Sequence, residues 1–141
     1  MSITDEQWAE LHDRAVDAMK HAYAPYSGYP VGAACLTRDG RIFTGCNVEN
    51  AGYGVTLCAE CGMVSEMIKA GSTGIVAFAA VNGKEEPVVP CGRCRQLLSE
   101  HVDRSAFVSI PAGILPFEQI MPFGFGKTDL SEVPTSTYKE D

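Results

Sequence analysis

The sequence contains no apolar run near the roughly 20 residues needed to cross a bilayer, so a membrane-spanning helix is excluded. Positive charge is scarce. Lys and Arg number 11 against 18 Asp and Glu, for a formal net charge of −7. A nucleic-acid groove or an anionic membrane surface needs clustered Lys and Arg, so neither partner is expected. There is no internal repeat, low-complexity stretch or linker. Residues 1–8 have neither the basic start nor the apolar stretch of a secretory signal, and a cytoplasmic setting with reduced thiols is expected. The 141 residues are 45% apolar and 21% charged, which is ordinary for one globular domain and excludes disorder, collagen and coiled coil. A single domain over residues 1–130 and a polar tail over 131–141 are expected.

What the sequence does have is six cysteines: Cys35, Cys46, Cys58, Cys61, Cys91 and Cys94. A reduced setting argues against a disulfide framework and leaves metal binding or catalysis as roles for some of them.

The chain order places them. Thr4 and Gln7 resemble a capping box, and Trp8, Leu11, Ala15, Ala18, Met19 and Ala22 recur at helical spacing. A helix is predicted over 5–23, stopped by Pro25. Strands are predicted over 31–38 and 41–48, joined by a two-residue turn at Asp39-Gly40. That register opposes Arg38 to Arg41 and Ala33 to Cys46. Cys35 is then diagonal to Cys46, beyond disulfide geometry, and both read as small core residues. A glycine-containing loop over 49–57 leads to a helix over 58–70 with Gly71 as its cap. Residues 75–82, IVAFAAVN, are apolar almost throughout, as in a central strand covered on both faces. A second short helix over 91–101, a strand over 106–110 and a helical turn over 117–121 follow. The order α-β-β-α-β-α-β predicts an α/β fold with a mixed sheet and helices on both faces. Both cysteine-bearing helices follow strand ends, the edge where such sheets bind ligands.

Cys91 and Cys94 are three apart at a helix start, so their thiols share a face. Cys58 also opens a helix. Helix N-termini favour thiolate, and three thiolates from two helix starts make a plausible zinc site. A catalytic zinc keeps a position for water and lowers its pKa from 15.7 to about 7. Glu60, two residues from Cys58, is placed to move protons. Cys-x-Glu followed by Pro-Cys-x-x-Cys is the pattern of zinc deaminases. Two alternatives stay open on spacing. Cys61 could complete a closed four-cysteine structural site, although the intervening 62–90 segment exceeds the usual 15–20 residues. Each Cys-x-x-Cys pair could also be redox-active.

Four segments carry a resemblance: AYAPYSGYPVGAA (22–34), GCNVENAGY (45–53), LCAE (57–60) and PCGRCRQLLSE (90–100). Over about residues 8–130 the sequence resembles cytidine deaminases of the small homotetrameric class. The resemblance implies a three-layer α/β/α sandwich with a mixed five-stranded sheet. It implies one Zn2+ per chain, held by Cys58, Cys91 and Cys94, with water in the fourth place. Glu60 would carry protons from that water to N3 of cytosine and then to the leaving ammonia. Asn47 and Glu49 would bind ribose hydroxyls, and Ala59 and Tyr29 would contact the substrate. Tyr29 stands where relatives usually have Phe, so its hydroxyl needs a partner. Phe125 would stack on the base from a neighbouring subunit, with Phe123 as its rival. Arg95 would donate to a ligand sulfur, and Gln96 would sit similarly close behind the ligands. The departure is Cys61, where many relatives carry Arg. The implied activity is hydrolysis of cytidine, and of deoxycytidine, to uridine or deoxyuridine and ammonia in pyrimidine salvage, by a homotetramer with shared sites. The alternatives are a blasticidin S deaminase-type enzyme, which shares a closely similar PCGRCRQ segment, and a non-catalytic zinc or thiol module.

Overall fold

A computed structural model describes residues 2–131; the expected polar tail lies outside them apart from Ser131. The first helix, α1 (Asp5–Met19), opens with the capping box. The Thr4 side chain accepts from the Gln7 N–H, and the Gln7 side chain accepts from the Thr4 N–H. Leu11, Ala15, Val16 and Met19 form its buried stripe. The helix stops before residue 23. Tyr23 leaves it to pair with the next loop, donating to the Asn47 carbonyl at 3.0 Å and accepting from the Glu49 N–H at 2.8 Å.

Strands β1 (Val31–Thr37) and β2 (Ile42–Cys46) form the expected hairpin in a different register. Cys35 opposes Phe43, and Cys46 opposes Gly32. The connection is three residues long, not two. The Thr37 N–H reaches the Arg41 carbonyl at 2.9 Å, and Gly40 takes a left-handed φ of 84°. This is the three-residue turn with a glycine bulge. Asp39 explains it. Its carboxylate accepts from the Thr37 and Ser72 hydroxyls and from the Arg41 guanidinium, which needs the longer turn. A shift of one residue reverses every side chain. Cys35 and Cys46 therefore lie on opposite faces of the sheet, a stronger bar to a disulfide than the expected diagonal. Burial pushes the Cys35 thiol up to about 12, as for an inert core cysteine.

Helix α2 (Ala59–Lys69) starts from Cys58 as N-cap. It ends in a Schellman motif, with the Gly71 N–H on the Ile68 carbonyl, the Ser72 N–H on the Met67 carbonyl and φ of 75° at Gly71. Strand β3 (Ile75–Asn82) is central and buried to Val81. Helix α3 (Gly92–Ser99) starts from Cys91 as N-cap. Strand β4 (Val102–Ile110) begins four residues before the expected 106. A fifth strand, β5 (Gly113–Pro116), pairs at the edge. A 3-10 turn at Phe117–Gln119 and a short helix α4 (Lys127–Ser131) close the described chain.

The sheet order is β2-β1-β3-β4-β5, with only β3 and β4 paired in parallel. Helix α1 packs its stripe on Ala34, Leu36, Val76 and Val81. Helices α2 and α3 cover the other face, where Met63, Met67 and Leu98 meet Phe78 and Val108. The result is the expected three-layer α/β/α sandwich. Since β1 is antiparallel to both β2 and β3, those two run in the same direction. Their C-terminal ends share one edge of the sheet, and the segments leading to Cys58 and Cys91 both depart from it. Among the described residues no helix is long and apolar enough to cross a membrane.

Candidate metal centre and substrate cavity

The two departing segments bring three thiols together. The Sγ atoms of Cys58, Cys91 and Cys94 all lie within 4.8 Å of one another, and Cys58 and Cys91 are 3.8 Å apart. Tetrahedral zinc with bonds of about 2.3 Å separates its sulfur ligands by about 3.8 Å, so this donor set fits the ion. Cys94 is buried and Cys91 exposed, with Cys58 between them. The trio is therefore rooted in the core and open on one side.

Burial pushes the Cys58 and Cys94 thiols up, and the adjacent Glu60 carboxylate raises Cys94 further. Burial also acts against ionisation of Cys91. The Cys94 backbone N–H and the neighbouring thiols outweigh it, and hold Cys91 below the ordinary thiol value. A divalent cation is what would ionise all three. Cys61 lies outside the trio. Its sulfur receives the Arg93 guanidinium at 3.9 Å, so a closed four-cysteine site does not form.

Glu60 is 4% exposed in the first turn of α2. It lies on the wall of a cavity of about 670 Å³ that also holds Cys58, Ala59 and Cys91. Asn47, Glu49 and Tyr29 line the same cavity. Asn47 is held by its own amide: Oδ1 accepts from the Val31 N–H at 2.9 Å, and Nδ2 donates to the Tyr29 carbonyl at 3.0 Å. One amide hydrogen and one lone pair remain for a ligand. Glu49 accepts from the backbone N–H groups of Tyr26 and Ser27, at 3.0 Å each, and from the Ser27 hydroxyl. These donors, the Ser27 hydroxyl foremost, hold its carboxyl below the usual carboxylate value. An ionised carboxylate has about four acceptor positions, so room is left for a hydroxyl donor.

The Tyr29 hydroxyl has its partner in Asn82, whose Nδ2 donates to it at 3.3 Å. Asn82 and Ser27 are cavity residues that the sequence reading passed over. Ser27 stands in the sequence only as one position of the 22–34 segment, and Asn82 only as the end of the apolar 75–82 strand.

Two expectations are corrected. Arg95 does not point at a sulfur. Its Nε and Nη1 donate to the carbonyls of Pro90 and Ile120, both at 2.9 Å, and so satisfy two loop acceptors that lack strand or helix partners. Gln96 likewise turns away from the ligands and donates to the Phe125 carbonyl at 2.9 Å. Phe125, expected to reach a neighbouring subunit's site, is not among the residues lining its own chain's cavity. It is 57% exposed beside Gln96, Ser99 and Lys127, and Phe123 is also fully exposed.

Residues 5–109 match the model of the cytidine and deoxycytidylate deaminase zinc-binding region. The chain belongs to this family. It is 44% identical over 128 residues to the cytidine deaminase of Mycobacterium tuberculosis, covering 91% of this chain and 96% of that protein. The crystal structure of cytidine deaminase from Mycobacterium leprae superposes with a TM-score of 0.79 at 46% identity, over 82% of this chain and 97% of that one. That of the Mycobacterium tuberculosis enzyme gives 0.82 at 43% identity, over 87% and 98%. The matched region of this deaminase-family chain contains all three clustered cysteines and Glu60.

Proposed function

We propose that this deaminase hydrolyses cytidine and deoxycytidine to uridine and deoxyuridine, with release of ammonia, as a step of pyrimidine salvage. The observation that carries the reading is the buried Glu60 carboxylate beside three clustered thiols, in a cavity that also presents Asn47 and Glu49. Cys58, Cys91 and Cys94 hold one zinc per chain. Zinc, when bound, lowers the pKa of water from 15.7 to about 7 and so supplies a nucleophile at neutral pH.

The protein's own residues do the rest. Asn47 and Glu49 are fixed by hydrogen bonds to the backbone; the Asn47 amide donates to or accepts from a ribose hydroxyl, and the Glu49 carboxylate accepts from one. Analogues lacking both ring hydroxyls leave these groups unpaired and are penalised, whereas deoxycytidine keeps one of them. Ala59 and Tyr29 bound the pyrimidine. Glu60 takes a proton from the attacking water and delivers it to N3 as oxygen adds at C4. It then serves the departing amine, so one carboxylate acts as base and acid. Water supplies the new C4 oxygen, and the C4–N bond breaks.

Phe125 is exposed and turned from its own cavity, which supports a role across a subunit boundary. We read the assembly as a homotetramer with shared sites. The separation of Cys35 and Cys46 on opposite sheet faces fits reduced thiols and a cytoplasmic location.

The test follows the absorbance change from cytidine to uridine with the zinc-loaded protein and with Glu60→Gln. Turnover by the wild type and its loss in the variant are expected. No turnover by the wild type, or equal turnover by both, refutes the reading.

A further inference from the structure

We propose that Arg93 is a positioning residue that grips the two ligand-bearing helix starts together and slows the loss of zinc. The inference rests on the zinc site proposed above. Cys58 reaches that site from one segment of the chain, and Cys91 and Cys94 from another. No covalent link joins the two, yet their sulfurs meet at 3.8 Å. A contact that holds the start of α2 against the start of α3 keeps the three donors within reach of one ion.

Arg93 makes that contact. It sits between Cys91 and Cys94 at the start of α3. Its Nη1 donates to the Thr56 carbonyl at 3.2 Å, and its Nη2 donates to the Cys61 sulfur at 3.9 Å. Thr56 lies two residues before Cys58, and Cys61 lies three after it. The guanidinium fork thus spans Cys58, touching the chain that enters it and the helical turn that leaves it. Arg93 makes no ion pair with a carboxylate among the described residues, so its fork is given over to these two acceptors. A planar fork can satisfy two acceptors at once, whereas an ammonium is a point charge on a flexible stem. Arg95, one residue past Cys94, is engaged elsewhere, on the Pro90 and Ile120 carbonyls.

Residues that orient metal ligands change metal affinity by 10–100-fold when removed. Arg93 is exposed and its sulfur contact is long, so about 10-fold, the low end of that range, is expected. The experiment loads wild type, Arg93→Gln and Arg93→Lys with zinc and follows its transfer to a colorimetric chelator. Thermal unfolding of the zinc-free proteins is measured alongside. Zinc leaves both variants about 10-fold faster, since neither substitute spans two acceptors, while the zinc-free melting temperatures stay together. Release from Arg93→Gln within twofold of wild type overturns the proposal. So does normal release from Arg93→Lys, which would assign the effect to charge alone. A fall in zinc-free stability matching the faster release also overturns it. A wild type that takes up no zinc refutes the metal site itself, and its zinc content separates that failure from the others.

Discussion

Gly45 tests whether α2 and its chemistry are set by one close approach. A Cβ built there would lie 2.2 Å from the Ala59 carbonyl oxygen and 2.5 Å from the Met63 nitrogen. Both are helix backbone and cannot swing aside. Gly45→Ala therefore requires α2 to retreat by roughly 1 Å to restore ordinary contact. Overpacking of this kind costs about 1–3 kcal/mol. With rigid atoms on both sides the upper end is expected, a drop in melting temperature of about 10 °C for a chain of this size. The same retreat moves Cys58 and Glu60, and a misplacement of about 1 Å costs roughly 100-fold in rate.

Gly32 is the control. Its Cβ would meet the Ala15 carbonyl oxygen at 2.0 Å and the Met19 nitrogen at 2.4 Å, so Gly32→Ala strains α1 on the opposite face. Both variants are to be compared by thermal unfolding, zinc content and cytidine turnover per folded chain. Gly32→Ala loses stability and keeps zinc and turnover, whereas Gly45→Ala loses all three. An unchanged melting temperature for Gly45→Ala, or equal loss of turnover in both, refutes the reasoning.

The Asp39 carboxyl is held well below its ordinary value, chiefly by Arg41 and then by Thr37. Its stabilisation is full above the unfolded pKa of about 3.9 and is lost as pH falls through the folded one. Urea midpoints of zinc-free wild type and Asp39→Asn should differ at pH 7 and converge below about pH 4; a gap independent of pH sinks this account. Cys61→Ser keeps one zinc per chain by chelator titration, while Cys94→Ser loses it; equal losses would make Cys61 a ligand. Asn82→Ala costs about 1 kcal/mol in urea unfolding, because its Oδ1 also accepts from the Lys84 and Glu86 N–H groups. Tyr29→Phe, which removes one exposed contact, costs less than half of that, and the reverse order would refute the assignment.

Features written in neighbouring residues were legible in the sequence. The Thr4–Gln7 capping box, the Gly71 helix stop and the apolar run of β3 each depend on a few adjacent positions. The thiol trio was legible for a related reason: a helix start confers both a facing direction and a partial charge on Cys58, Cys91 and Cys94. Features fixed by distant partners were not. The end of α1 depends on Tyr23 pairing with the loop around Asn47. Arg95 and Gln96 follow α3 toward the carbonyls of Ile120 and Phe125, and spacing says nothing of either. Strand β5 is four residues long, half-exposed and ends in proline, so it carries almost no alternation.

The hairpin register joins these two kinds of information. A two-residue turn at Asp39-Gly40 would bring Cys46 opposite Ala33, on the face covered by α2. The observed turn places Gly45 opposite Ala33 instead, and only glycine fits where the Ala59 carbonyl approaches so closely. Asp39 selects the longer turn through Ser72, which lies just beyond the Gly71 cap of that same helix. One end of α2 is thus tied to the turn that sets the register. The register in turn places the glycine on which the other end, with Cys58 and Glu60, is seated. A residue larger than glycine at 45, or a turn without Asp39, would disturb the site from the sheet side with every site residue still in the sequence.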